Sequence, residues 1–324
     1  IFAFIILTSI RILAITTNVP TVKLNDGRDM PGYGFGTWLG FQADANGSPV
    51  ERTDKAVEAA IDTGYRHIDT AAIYDTEDQV GRAIAKKISD GVVKREDIFV
   101  TTKLWNDHHA RSQVIPALKE SLSKLKLEYL DLYLIHWPMA TYPNHTDNPD
   151  IDYVETWQGM IDARNQGLTK SIGVSNFNQQ MLERLTKESG VKPAVLQIEV
   201  NLNLQQEPLR EYCKQQQIAV MAYTPFGSVF RNNPRAPPPK ADDPTLVSIA
   251  QKYKKTVAQV ILRYLLDLGV VSIPKTVTKS RVEENFNIFD FTLTDEERAQ
   301  LRGFDKGFRT LEIPFWKNSK YYPF

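Results

Sequence analysis

Short apolar runs and amphipathic helical stretches alternate along this chain. The clearest apolar run, Leu130-Asp131-Leu132-Tyr133-Leu134-Ile135, ends in His136-Trp137-Pro138. It predicts a strand buried on both faces whose last residues emerge into a site. Seven further runs share its character, at 35–38, 66–71, 98–104, 171–175, 195–200, 218–223 and 270–274. After each run comes a stretch with helical spacing. The first is 53–63, with Ala56, Val57, Ala60 and Ile61 on one face; the others are 79–88, 112–125, 153–166, 180–188, 207–216, 257–268 and 280–289. Eight βα units with right-handed crossovers predict an α/β fold, the (β/α)8 or TIM barrel, because eight strands close the sheet and leave no edge.

Three segments lie outside that repeat. Residues 22–30 read as a hairpin around Asp26-Gly27, expected to plug one end of the barrel. The connection 231–243 carries Pro234, Pro237, Pro238 and Pro239, and reads either as a lid over the mouth or as a passive surface loop. Beyond a helix at 295–301 the tail holds Phe308, Phe315, Trp316, Tyr321, Tyr322 and Phe324, too many aromatics for a free end, so it is expected to pack on the barrel. At the other terminus residues 1–10 are nearly all apolar and Ala14 offers a small residue for cleavage. That is the length of a signal-peptide core rather than of a bilayer span, so the expected organisation is a signal peptide over 1–16 with a truncated start, then one barrel domain over 17–324. The sequons Asn46-Gly47-Ser48 and Asn144-His145-Thr146 fall in polar loops that would tolerate glycans on a secreted protein; a cytoplasmic protein is the alternative.

Composition narrows the partner. Lys plus Arg and Asp plus Glu each number 39, so the formal net charge is zero and no field of one sign remains to attract nucleic acid or an anionic membrane. A monomer acting on a small molecule is expected. The single cysteine, Cys213, reads as a half-buried helix residue with no base or cation cluster beside it, so no catalytic thiol is proposed. His108-His109 reads as a solvated helix start, and no metal site is proposed.

The chemistry gathers at strand ends. Asp69, Tyr74, Lys103 and His136 stand at or just beyond the second, third and fourth barrel strands, where barrels keep their catalytic groups. An ammonium beside a phenol is expected to lower the phenol's pKa and make it a proton donor, with Asp69 as counter-charge and His136 orienting a carbonyl. Taken singly, these residues could form a structural ion pair, a surface tyrosine and a core histidine. Together they suit protonation of a carbonyl oxygen while a nicotinamide cofactor delivers hydride to the carbon. The Rossmann glycine pattern is absent, since Gly32-Tyr33-Gly34-Phe35-Gly36 continues with Thr37 and Trp38. Instead Lys275-Thr276-Val277-Thr278, with Arg281 in the following helical turn, reads as a phosphate site or as an ordinary helix start. Paired cations there would favour the 2′-phosphate of NADPH over NADH.

These motifs resemble the aldo-keto reductase superfamily over essentially the whole chain after the leader. Residues 64–71 continuing to Tyr74 match its first signature, Leu132 to Pro138 accompany the second, and Ile273-Pro274-Lys275 with Arg281, Glu284 and Asn285 match the third. The resemblance implies Tyr74 as general acid, Lys103 and Asp69 as its tuning pair and His136 as substrate orienter. It further implies that Ser175, Asn176 and Gln197 hold the nicotinamide carboxamide while Tyr223 stacks on the ring. Gly36, Thr37, Trp38 and the segment Thr224, Pro225, Phe226, Gly227, Ser228 would line the cofactor path, with Lys275, Thr276, Val277, Thr278, Arg281, Glu284 and Asn285 at the adenosine phosphate. Thr224 and Thr276 stand where serine is commoner in relatives. Trp38, Trp105 and Trp137 would wall the substrate pocket with Tyr74 and His136, closed by Phe315 and Trp316. With its leader, the chain also looks like the secreted insect 3-dehydroecdysone reductases, which reduce a steroid ketone. Two other readings compete: a barrel glycoside hydrolase with Asp69 and Glu199 as paired carboxylates, and a protein that binds NADPH without turning anything over.

Overall fold

A computed structural model describes residues 19–40 and 53–324. The expected leader and the Asn46 sequon lie outside the described residues. The eight apolar runs pair in parallel in chain order, as β3 (Phe35–Gly36), β4 (His67–Asp69), β5 (Phe99–Leu104), β6 (Leu130–Ile135), β7 (Thr169–Ser175), β8 (Val195–Glu199), β9 (Ala219–Tyr223) and β10 (Val271–Ser272). The two ends of the row meet. Tyr33 bridges Ser272, the Gly34 N–H donates to the Ser272 carbonyl at 3.0 Å and the Gly36 N–H to that of Pro274 at 3.0 Å, which closes the barrel. Gly36 is needed for this seam: a Cβ there would lie 2.8 Å from the Ile273 carbonyl oxygen.

Parity along each strand decides what faces inward. Phe99, Leu132, Leu134, Val195, Met221, Val271 and Ile273 fill the barrel's interior. Their immediate neighbours Val100, Tyr133, Ile135, Leu196, Val220 and Ala222 pack outward in the larger core under the helices. The hairpin of β1 (Thr21–Lys23) and β2 (Asp29–Pro31) stops the amino-terminal end by burying Leu24 and Met30 in the interior cluster. It is pinned there by Asn25, which donates to the Pro193 carbonyl at 2.9 Å, and by Asp26, which accepts from Ser171 at 2.6 Å.

The helices are α1 (Thr53–Thr63), α2 (Glu77–Ser89), α3 (Arg111–Leu125), α4 (Tyr153–Asn165), α5 (Gln179–Ser189), α6 (Glu207–Gln215), α7 (Pro244–Tyr253), α8 (Val257–Asp267), α9 (Lys279–Phe286) and α10 (Asp295–Arg302). The sequence pattern predicts no element for 244–253, between the proline-rich connection 231–243 and the helix at 257–268, where α7 lies. Its start is nevertheless legible: Asp243 accepts from the Thr245 and Leu246 N–H groups and Pro244 opens the first turn. The prolines before it masked that cap.

Two expectations on polar and thiol burial are corrected. His109 is not solvated but 1% exposed, because its loop is folded under α4, and burial drives its pKa down to about 3. Cys213 is fully rather than half buried, and burial pushes its thiol up to about 12. The tail packs down as expected: Tyr321 donates to Asp152 at 2.7 Å and Phe324 meets the Trp137 ring. Among the described residues no helix is long and apolar enough to cross a membrane.

Candidate active site

The inward parity that fills the barrel also builds its mouth. Lys103 follows Phe99 and Thr101 on the inward face of β5, Asp69 follows His67 on β4, His136 lies two residues beyond Leu134, and Gln197 two beyond Val195. Ser175 and Tyr223 end β7 and β9 in the same way. Tyr74 arrives from a single 3₁₀ turn, Ala72–Tyr74, directly after β4.

Lys103 is at the centre of the cluster and wholly buried. Its Nζ donates to Asp69 Oδ1 at 2.7 Å, to the Thr70 carbonyl at 2.9 Å and to the Tyr74 hydroxyl at 3.2 Å. The second Asp69 oxygen accepts from Gln197 Nε2 at 2.8 Å. Burial pushes the Asp69 carboxyl up and the Lys103 ammonium down, while each partner's charge pulls back toward the ion pair. The expectation that the ammonium would leave the resting phenol unusually acidic is overturned. Burial, and behind it the charge of Asp69, pushes Tyr74 well above its ordinary value. The phenol therefore holds its proton through the neutral range, and the ammonium is placed to stabilise the phenolate only as it forms.

His136 packs edge-on against the Tyr74 ring at 5.6 Å and against Trp105 at 5.1 Å. Burial first, then Lys103 and His109, hold its imidazole well below the ordinary value, so it is neutral at neutral pH. Asn176 joins two walls of the mouth: its amide donates to the His136 carbonyl at 3.0 Å and its oxygen accepts from the Tyr223 hydroxyl at 2.7 Å. Asn176 holds a left-handed backbone, φ 62°, which asparagine tolerates.

These groups floor a cavity of about 1210 Å³ that runs out along the seam between β3 and β10 to the start of α9. One drug-sized ligand occupies a pocket of roughly 300–1,000 Å³, so there is room for a cofactor and a substrate together. Gly36, Thr37, Trp38, Ser175, Asn176, Gln197, Tyr223, Thr224, Pro225, Phe226, Gly227, Lys275, Thr276, Arg281, Glu284 and Asn285 line it, as do Asp69, Tyr74, Trp105, His136, Trp137, Phe315 and Trp316. Ser228, Val277 and Thr278 do not, and Lys103 lies behind the lining, bonded to Asp69 and Tyr74. Ser228 is buried in the turn that follows the groove, Val277 packs on the outer core, and Thr278 caps α9 with its N–H held by Thr276. Phe315 lines the rim but is 71% exposed, whereas Trp316 is 3% exposed and reaches Trp105 and Trp137 at ring distances of 5.9 and 6.3 Å.

Several lining residues were not foreseen: His145, Phe230, Arg231, Ile273, Leu311 and Ile313. Most come from irregular segments, where no periodicity announces which side chain turns inward. Arg231 adds a third cation to the groove beside Lys275 and Arg281, and burial first, then the Arg231 charge, holds Lys275 below the ordinary lysine range. Glu199, the second carboxylate of the hydrolase reading, does not line the cavity. Both its oxygens are taken up by N–H donors of Asn201, Thr310 and Leu311. Among the described residues no group of three or more His, Cys, Asp or Glu is placed to hold a metal ion.

A closed parallel barrel with a buried lysine bridging a carboxylate and a phenol at its carboxyl rim, beside a neutral imidazole and a long cationic groove, defines a barrel oxidoreductase of the proton-donating kind. The aldo/keto reductase family model matches residues 33–306, and the chain belongs to that family. It is 53% identical over 306 residues to the aldo-keto reductase AKR2E4 of Bombyx mori, covering 94% of this chain and 98% of that protein. The crystal structure of AKR2E4 in complex with NADP superposes with a TM-score of 0.91 at 51% identity, covering 94% of this chain and 99% of that one. A structure of the Bombyx mori AKR2E5 complexed with NADPH gives 0.92 at 49% identity, over 95% and 94% of the two chains.

Proposed function

We propose that this chain reduces the carbonyl of a bulky, largely apolar ketone or aldehyde with NADPH, a steroid ketone such as 3-dehydroecdysone being the favoured substrate. The observation that carries the reading is the single Lys103 ammonium bonded to both Asp69 and the Tyr74 hydroxyl on the floor of the cavity. The residues fit the cofactor. The groove offers amide and hydroxyl groups beside the Tyr223 ring at its inner end and Lys275, Arg281 and Arg231 at its outer end, the donor set for a dinucleotide with a 2′-phosphate. When bound, nicotinamide supplies the hydride that the side chains of a protein cannot.

The chain's own residues do the rest. Tyr74 hands its proton to the carbonyl oxygen as charge develops there, and Lys103 stabilises the phenolate left behind. Asp69 keeps the ammonium in place, and Gln197 keeps Asp69 in place. Neutral His136 donates to the carbonyl oxygen and sets its angle. The indoles of Trp38, Trp105, Trp137 and Trp316 exclude water and suit a flat polycyclic substrate.

A panel of aldehydes and ketones, ecdysteroid ketones among them, scored by NADPH consumption, tests the reading. Turnover with at least one bulky ketone is expected, together with loss of at least about 100-fold in kcat for Tyr74→Phe and unchanged NADPH binding. Release of reducing sugar from glycosides, or activity intact in Tyr74→Phe, would reverse it. Secretion is part of the proposal, supported by the apolar run 1–10 and by the exposed position of the Asn144 sequon. Expression with the native leader in insect cells should place the protein in the medium with a glycosidase-sensitive mass; retention inside the cell would refute it.

A further inference from the structure

The seven residues from Glu199 to Gln205, which carry the chain out of β8, are all buried, and four of them are polar: Glu199, Asn201, Asn203 and Gln205. None takes part in the proton chemistry. Glu199 lies two residues beyond Gln197, on the same inward face, and is 0% exposed. One carboxylate oxygen accepts from the Thr310 N–H at 2.8 Å and from Asn201 Nδ2 at 2.9 Å; the other accepts from the Leu311 N–H at 3.0 Å. Asn203 extends the grip, its carbonyl accepting from the N–H groups of Lys306 and Phe308 at 3.1 and 2.9 Å.

The two N–H groups that Glu199 binds open the stretch 310–316, whose Leu311, Ile313, Phe315 and Trp316 line the outer cavity. A carboxylate between two successive backbone N–H groups makes charge-assisted bonds and fixes the direction in which the chain leaves that point. The anchor is a barrel strand that also carries Gln197, the residue holding Asp69. The substrate-covering loop is thus referenced to the same rigid element as the proton donor's support. Asn201 ties the cofactor side to this point as well, since a Cβ on Gly227 would lie 2.8 Å from its Cγ.

We propose that Glu199 is a positioning residue that fixes the root of the 310–316 loop and thereby the wall that Leu311, Ile313 and Trp316 present to a bulky carbonyl substrate. This rests on the reductase reading above. The test compares full-length Glu199→Gln with wild type on a bulky ketone and on a small aliphatic aldehyde. Glutamine keeps the volume but puts an NH₂ where an acceptor is needed, so KM for the ketone should rise about tenfold, the worth of one charge-assisted hydrogen bond. Both kcat values, the aldehyde KM and the NADPH Kd read by fluorescence should stay within about twofold.

Trypsin should cut after Lys317 or Lys320 faster in the variant holoenzyme, and Glu199→Asp, which keeps both acceptors, should recover part of the ketone KM. Equal losses on both substrates, or an unchanged ketone KM with unchanged trypsin cleavage, would overturn the assignment. Should Glu199→Gln fail to fold, Thr310→Pro removes one of the same bonds from the loop side and is read by the same pair of substrates. If wild type reduces neither substrate, it is the function reading that fails, and the trypsin comparison still decides the anchoring role.

Discussion

Lys103 has two duties whose failure can be measured separately. Replacing it with methionine leaves Asp69 buried without its cation, which should cost on the order of 3–5 kcal/mol of stability in urea unfolding. The same variant removes the charge that meets the forming phenolate, so kcat should fall much further than NADPH affinity; equal turnover at neutral pH would contradict the role. At the other end of the groove, Lys275→Ala and Arg281→Ala should weaken NADPH far more than NADH in a binding titration, because only the former carries the 2′-phosphate. Equal losses for both cofactors would count against that contact. The tetrad could be picked out at this scale because it is written in residue types at strand ends. The direction of the Tyr74 shift could not: it depends on burial and on the distance to Asp69, neither of which a sequence states.

Strands and loops differ in how far they can be foreseen. Position at a strand end marks Asp69, Lys103 and His136 in the sequence, but the inward parity through β4, β5, β6 and β8 that turns them and Gln197 into the mouth shows only in the barrel, because strands buried on both faces carry no apolar–polar alternation. The closing seam is tighter. Gly36→Ala would drive a Cβ to 2.8 Å from the Ile273 carbonyl, and should lower stability by about 1–3 kcal/mol while weakening NADPH, because Lys275 lies just beyond β10, two residues after the carbonyl that must move. Thermal unfolding and a cofactor titration check this together; an unchanged melting curve would show the seam to be soft. Leu311, Ile313, His145 and Arg231 entered the cavity unannounced because loops have no period, and α7 was missed because prolines stood in front of its cap.

Across the whole molecule, buried histidines set an acid limit, and two join His136 of the site in doing so. His67 and His109 are driven down to about 3 by burial, against about 6.5 in an unfolded chain. Between those values the unfolded state binds the protons and the folded state does not, so stability is complete above about pH 6.5 and declines as pH falls toward 3. Each histidine contributes a slope of up to about 1.4 kcal/mol per pH unit. Urea midpoints at pH 7 and pH 5 should show the drop, and His109→Gln should make it shallower; a flat profile would mean that the imidazoles are wetter than their burial indicates.

The chain's own text settled the barrel and its eight strands and marked Asp69, Tyr74, Lys103 and His136 as candidates, because apolar runs and strand-end position are local properties that neighbouring residues carry among themselves. Contacts between segments far apart in sequence were decided only on folding. The Lys103 ammonium reaches Asp69 from 34 residues away, and the Glu199 carboxylate reaches the loop at Thr310 across 111. A charge buried by such meetings takes its pKa and its task from surroundings that exist only once the barrel has closed.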